Sequence, residues 1–213
     1  MDSRRLAQTR AGYDPVARAY AASLPDTSFE AQQDMAMVDR FAGELPPSAT
    51  VLDAGCGAGR MLAYVRSRVA GVTLAGVDLS ARMLDEARRA DPLAELTVAD
   101  IADLPYADDS VDGVLAWYSI IHTPSGDLPA LAAELHRVTR PGGVVLIGFQ
   151  SGTGRREIAG AYGHDVALTA FLHRTADVAD ALVAAGFAID TVLDREPRTT
   201  ERHPQGFVLA RAR

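Results

Sequence analysis

The chain has 213 residues, 48% of them hydrophobic, and a mean hydropathy of +0.01, which suits one globular α/β domain with some residues to spare for extra helices. No apolar run approaches a membrane span, and the 21 basic residues are all arginine, scattered along a chain of net charge −7, so neither a membrane span nor a nucleic-acid partner is expected. Cys56 is the only cysteine, which excludes an internal disulfide and makes a reducing cytoplasm the expected compartment.

Residues 1–48 precede the first strand and read as helical. Asp14 is placed to cap a helix with Pro15 at its first position, and residues 29–45 read as a second helix ended by Pro46-Pro47. Tyr13 and Tyr20 either anchor the first helix on the core or cover a site, because an amphipathic tyrosine serves both purposes.

The stretch Val51-Leu-Asp-Ala-Gly-Cys-Gly-Ala-Gly-Arg60 reads as a strand over 50–54 that turns sharply into a helix over 58–68. Such a turn gathers backbone N–H groups and the positive end of a helix dipole, and a Cβ at Gly55, Gly57 or Gly59 would obstruct the turn or the ligand. A dinucleotide fingerprint would need glycine where Arg60 stands, and Asp53 would repel a pyrophosphate. A ligand with an ammonium end suits Asp53, directly or through water. The next apolar run, 72–77, ends at Asp78-Leu79, the spacing at which a carboxylate accepts hydrogen bonds from two ribose hydroxyls.

These residues resemble the first two motifs of the class I S-adenosylmethionine-dependent methyltransferases. The resemblance implies an α/β, Rossmann-like, seven-stranded and mostly parallel sheet with an antiparallel C-terminal hairpin strand, helices on both faces and extra N-terminal lid helices. It implies S-adenosylmethionine as cofactor and S-adenosylhomocysteine as product. Tyr13-Asp-x-x-Ala-x-x-Tyr20 is similar to the N-terminal segment of small-molecule members, where such helices cover cofactor and substrate.

Farther along, Ser80 is expected to cap a helix with Met83, Leu84 and Ala87 on one face. Met83 packs under an adenine ring or simply fills the core. A strand over 96–99 ends at Asp100-Ile101, where the family's acid bonds the adenine amino group and its neighbour packs on the ring. The run from Pro105 to Val114 is similar to the family's L-P-F-x-D-x-S-F-D turn, and a buried strand follows over 113–117. Residues 127–140 read as a helix stopped by Pro141-Gly142-Gly143, and 144–149 as the fifth strand. Residues 150–173 show no clear period and are too long for an idle connection, which points to a substrate-covering insertion. A helix from Thr175 to Gly186 and strands over 187–193 and 206–210 complete the chain. The expected organisation is a helical lid, 1–48, and a methyltransferase domain, 49–213, carrying that insertion.

Ligands of an open parallel sheet lie beyond the carboxyl ends of its strands. The cofactor side is therefore assigned to Tyr20, Asp53, Gly55, Gly57, Gly59, Asp78, Leu79, Met83, Asp100, Ile101 and Trp117. The substrate side is assigned to Tyr13, Tyr118, His122, Gln150 and Arg174. Methyl transfer from a sulfonium is an in-line displacement and needs a base only when the acceptor must lose a proton. His122, just past the fourth strand, is the candidate base; the alternative is a histidine bonded to loop backbone. His136 reads as a surface residue, and His164 and His173 fall in the covering segment. No metal-ligand spacing occurs, so no metal is expected. Arg174 opens a helix against its dipole, which either Asp177 and Asp180 offset or an anionic substrate does, its carboxylate or phosphate held by Arg174 with Arg155 or Arg156. Carbon-5 pyrimidine methylation needs a free nucleophilic cysteine, amino-methylation of DNA needs a Pro-Pro motif after the fourth strand, and arsenic methylation needs several cysteines; all are missing. A small molecule methylated on O, N or C is the expected partner. A non-catalytic protein that binds the cofactor is the alternative, and monomer and homodimer both stay open.

Overall fold

The computed structural model describes residues 3–213. Its strands in chain order are β1 (Thr50–Ala54), β2 (Thr73–Asp78), β3 (Glu95–Val98), β4 (Val111–Trp117), β5 (Thr139–Gln150), β6 (Arg155–Ala161), β7 (His164–Phe171), β8 (Phe187–Arg195) and β9 (Gln205–Ala212). Seven of them form one sheet in the order β3-β2-β1-β4-β5-β9-β8. β1 pairs in parallel with β2 and β4, β2 with β3, and β4 with β5, whereas β9 is antiparallel to both β5 and β8. β9 alone therefore runs against the rest. The chain steps outward from β1 to β3 and then returns to place β4 on the other side of β1, so a crevice opens at that switch point.

The central strands are buried on both faces, and their side chains sort by alternation. Val51, Val144 and Leu146 enter one core, while Leu52, Val145 and Ile147 enter the other. Around the sheet lie α1 (Ser3–Tyr13), α2 (Ala17–Ser23), α3 (Gln32–Gly43), α4 (Arg60–Arg68), α5 (Ala81–Ala90), α6 (Leu128–Val138) and α7 (Thr175–Ala185). α3 and α4 cover the first face with Phe41, Leu62 and Val65, and α6 and α7 cover the second with Leu131, Leu135 and Leu182. A much smaller cluster joins Val16, Ala17, Ala58, Met83 and Val166, tying the N-terminal helices and β7 to the edge of the sheet domain.

Several local expectations are corrected. Asp14 caps nothing: residues 14–16 form a 3-10 turn without a side-chain cap, and the Asp14 carboxylate accepts a hydrogen bond from Ser80 Oγ at 2.6 Å. Residues 150–173 are not irregular but contain a second, two-stranded sheet, β6 with β7. Tyr162 and Gly163, with φ of 52° and 79°, make its two-residue turn, the conformation that matches the twist of a hairpin. Pro141-Gly142-Gly143 lies inside β5, since α6 already ends at Val138. His136 is half-buried against Phe187 rather than on the surface.

Candidate active site

A cavity of about 590 Å³ lies beyond the carboxyl ends of β1, β2, β4 and β5. Its floor begins with the glycine loop. The Gly55 and Cys56 N–H groups both donate to the Val77 carbonyl, at 2.8 and 2.9 Å, which pins the loop to the end of β2. Gly55 has φ +86°, and a Cβ there would overlap Ser119. Gly57, at φ +54°, faces open space, with the nearest atom to a Cβ, on Tyr20, 3.9 Å away. Backbone and neighbours both call for glycine at the first position; at the second only the left-handed backbone does, and the side facing the cavity is left clear.

Asp78 ends β2 on the cavity wall. Its Oδ2 accepts the Gly57 N–H at 2.9 Å and its Oδ1 the Ser80 N–H at 2.8 Å. Burial pushes this carboxyl above its ordinary range, although the two N–H groups pull against that. Ser80 Oγ in turn accepts from the Met83 N–H at 3.1 Å and so caps α5, as its sequence position predicts. Tyr20, Gly55, Gly57, Leu79, Met83, Asp100, Ile101 and Trp117 share this wall with Asp78.

Two predicted cofactor residues stand behind the wall. Gly59 does not line the cavity; with φ +84° it turns the chain into α4, where a Cβ would press within 3.0 Å of the Ala87 backbone. Asp53 is 2% exposed, and neither of its carboxylate oxygens has a hydrogen-bond partner among the described residues. Burial pushes its pKa up to about 7. A buried carboxylate with nothing to bond is costly, and the complement it lacks is a cation or a bridging water. An adenosyl group bearing an amino-acid end fits these residues: a ribose diol at Asp78, an adenine near Asp100 and Ile101, and an ammonium reached from Asp53.

The opposite wall carries His122, Tyr13, Tyr118 and Gln150. His122 Nδ1 lies 2.7 Å from the Thr169 carbonyl, and a carbonyl only accepts, so Nδ1 carries the proton. Nε2 then accepts the Tyr13 hydroxyl at 2.8 Å. Burial holds the imidazole pKa below its usual value, and the nearby Arg156 charge acts in the same sense, while the bond to Thr169 opposes it. One histidine thus links α1, the end of β4 and β7. Tyr118 takes φ +57°, a conformation unusual for a non-glycine residue, immediately after β4.

Residues 51–143 match the family described as a methyltransferase domain. This chain carries a class I S-adenosylmethionine-dependent methyltransferase domain. Among curated relatives, the malonyl-[acyl-carrier protein] O-methyltransferase of Serratia marcescens is 34% identical over 142 residues, 67% of this chain and 54% of that protein. The protein of the same name from Salmonella typhimurium is 45% identical over 97 residues, 46% of this chain and 37% of that one. The chain thus spans about half or less of the length of these two relatives. In fold, it is similar to the magnesium protoporphyrin IX methyltransferase from Synechocystis PCC 6803, with a TM-score of 0.74 at 19% identity, covering 100% of this chain and 98% of that one.

Arg174 does not line the cavity. Its exposed guanidinium donates to both oxygens of Asp177, at 2.6 and 2.9 Å, so the first turn of α7 supplies the compensation for its position. His173 is also withdrawn from the cavity, buried beside the Ile120 carbonyl. Conversely, the cavity gains Arg5 and Thr9 from α1, Arg156 and Tyr162 from the hairpin, and residues between β8 and β9. It also gains Glu30 and Arg60, an almost buried ion pair whose carboxylate further accepts the Trp117 indole N–H at 3.2 Å. Arg60 follows the glycine loop directly, so its place was visible in the sequence; its partner, thirty residues earlier in a turn, left no local signal.

Proposed function

We propose that this chain binds S-adenosylmethionine along the glycine loop, Asp78 and Asp100, and methylates an oxygen of a small acyl substrate, free or carried on a protein. The observation that carries this reading is that both walls belong to one chamber: the adenosine-complementary residues and the His122–Tyr13 pair enclose the same cavity. The names of the curated relatives support oxygen as the acceptor.

S-adenosylmethionine supplies a methyl group bonded to a positively charged sulfur. The protein's part is to hold the acceptor in line and to exclude water. α1, α2 and the β6–β7 hairpin form the cover, with Tyr13, Tyr20 and Tyr162 over the glycine loop. His122 stays neutral near pH 7 because its pKa is depressed, and Nε2 presents a lone pair. If the acceptor is a hydroxyl, that lone pair receives its proton once Tyr13 gives way. If it is a carboxylate, no proton has to leave, and the pair orients the substrate instead.

The test is incubation with methyl-labelled S-adenosylmethionine and three acceptors: malonyl-acyl-carrier protein, a small malonyl thioester and an aromatic hydroxyl compound. Label should appear in a base-labile ester or an ether. Binding of S-adenosylhomocysteine without transfer to any oxygen would refute the proposed reaction while leaving the cofactor site standing.

A further inference from the structure

Among the described residues, the arginines that are neither exposed nor ion-paired reduce to one, Arg156. It lies on β6, half-buried, on the cavity wall. Its neighbour on the strand, Arg155, points the other way, outside the cavity and toward Glu157. Among the described residues, the acceptor that Arg156 has is a neutral one: Nε and Nη2 donate to Gln150 Oε1 at 3.3 and 3.1 Å. That contact fixes the Gln150 amide with its NH₂ group free, since no other partner holds it among the described residues. Arg202, also on the wall, lacks a carboxylate within ion-pair distance as well among the described residues. Its neighbour Glu201 is committed elsewhere, bonded by Arg195 at 2.6 and 2.9 Å and by Arg198 at 2.8 Å. The charges of Arg156 and Arg202 repel each other, and together with burial this holds the Arg156 pKa below its usual value.

A protein that pairs its other part-buried arginines and leaves this one facing a cavity has left a place for an anion. Resting on the reading of the chamber as a methyltransferase site, we propose that Arg156, braced by Gln150 and faced by Arg202, is the specificity residue for a carboxylate on the substrate. The Arg156 fork and the Gln150 NH₂ group present a short row of donors, which matches the two oxygens of a carboxylate. Bound there, the carboxylate lies beside His122 and Tyr13, both close enough to feel the Arg156 charge. The site therefore rejects neutral acceptors by leaving Arg156 without a partner when they enter.

Calorimetry tests this with protein loaded with S-adenosylhomocysteine and titrated with malonate, malonamide or inorganic phosphate. Wild type should bind malonate at least tenfold more tightly than malonamide or phosphate. Arg156→Gln should lose that preference, Arg156→Lys should keep part of it, and Arg202→Gln should weaken malonate only a few-fold. S-adenosylhomocysteine affinity should be the same in all four proteins. Equal binding of malonate and malonamide by wild type, or unchanged malonate binding by Arg156→Gln, would overturn the assignment, and a preference for phosphate would overturn the carboxylate. Failure of wild type to bind S-adenosylhomocysteine at all would refute the proposed function itself, a separate result.

Discussion

The two walls of the cavity are built on different principles. The wall with the glycine loop rests on β1, β2 and β4, strands buried on both faces, and its shape is set by backbone: Gly55, Gly57 and the N–H groups that hold Asp78. Much of the opposite wall, from α1 and the β6–β7 hairpin, is held by a small apolar cluster and by side-chain bonds such as Tyr13–His122. The first is as stable as the domain core, whereas the second can open at the cost of a few contacts. A group-transfer site needs both properties, a rigid half to position and a movable half to admit and seal.

The sharpest way to separate the two principles lies within the glycine loop. Gly55→Ala forces a left-handed alanine, costing roughly 1–2 kcal/mol, and overlaps Ser119, adding roughly 1–3 kcal/mol, so unfolding by denaturant should show a loss of about 2–5 kcal/mol. Gly57→Ala meets only open space. It should lose about 1 kcal/mol of stability while weakening S-adenosylhomocysteine binding at least tenfold. Equal stability losses in the two variants would erase the distinction between a glycine kept for the fold and one kept for a ligand.

Removing residues 1–24 tests the cover as a unit. The sheet should still fold, because Val16 and Ala17 belong to the small cluster and not to either main core. Bound S-adenosylhomocysteine should dissociate at least tenfold faster and methyl transfer should cease. Full activity in the truncated protein would reduce these helices to packing.

A smaller effect is expected from the single bond between Tyr13 and His122. Tyr13→Phe removes one hydrogen bond worth about 1 kcal/mol, so S-adenosylhomocysteine release should quicken about fivefold above pH 7. His122 must be neutral for Nε2 to accept the bond, and its pKa is lowered in the folded protein. The bond is therefore intact above the ordinary histidine range near ~6.5 and is lost as pH falls through the depressed folded value. Below about pH 6.5 the unfolded chain also gains protons at His122 and His173 that the folded chain resists, so stability should decline on that side. Wild type and Tyr13→Phe should converge in release rate as the solution is acidified. A difference that stays constant at every pH at which the protein remains folded would mean that the hydroxyl acts on something other than the histidine.

The contrast between the walls also explains what was legible in the sequence. The sheet order and the positions of Asp78, Asp100 and Ile101 on the wall follow from a short motif set whose spacing is dictated by backbone geometry. The β6–β7 hairpin escaped because its turn is Tyr162-Gly163 rather than an Asn-Gly or Asp-Gly pair, and a bulge at Gly160 breaks the period-two pattern. Glu30 and Arg202 escaped for another reason: each is defined by what it does or does not face across the fold, and a sequence prints no such distances; Arg156 is offered there only as one of three cations, with nothing in the sequence to choose among them. Asp53 was expected near an ammonium; in the fold it is buried, with neither oxygen bonded among the described residues.

Arg174 provides the smallest expected effect and the cleanest control on the substrate wall. In sequence it sits with Arg155 and Arg156 as a cation near the covering segment, and its place at the start of a helix leaves it in want of an anion. In the fold that want is met locally by Asp177, on the surface and outside the cavity. An exposed pair within one helix turn contributes little, because water screens both charges. Arg174→Ala should therefore leave malonate affinity, the preference for malonate over malonamide and methyl transfer within twofold of wild type. Arg156→Gln, changing the same kind of charge on the cavity wall, should not. A loss of acid selectivity in Arg174→Ala equal to that in Arg156→Gln would show that the substrate wall works through diffuse positive charge and not through one unpaired side chain.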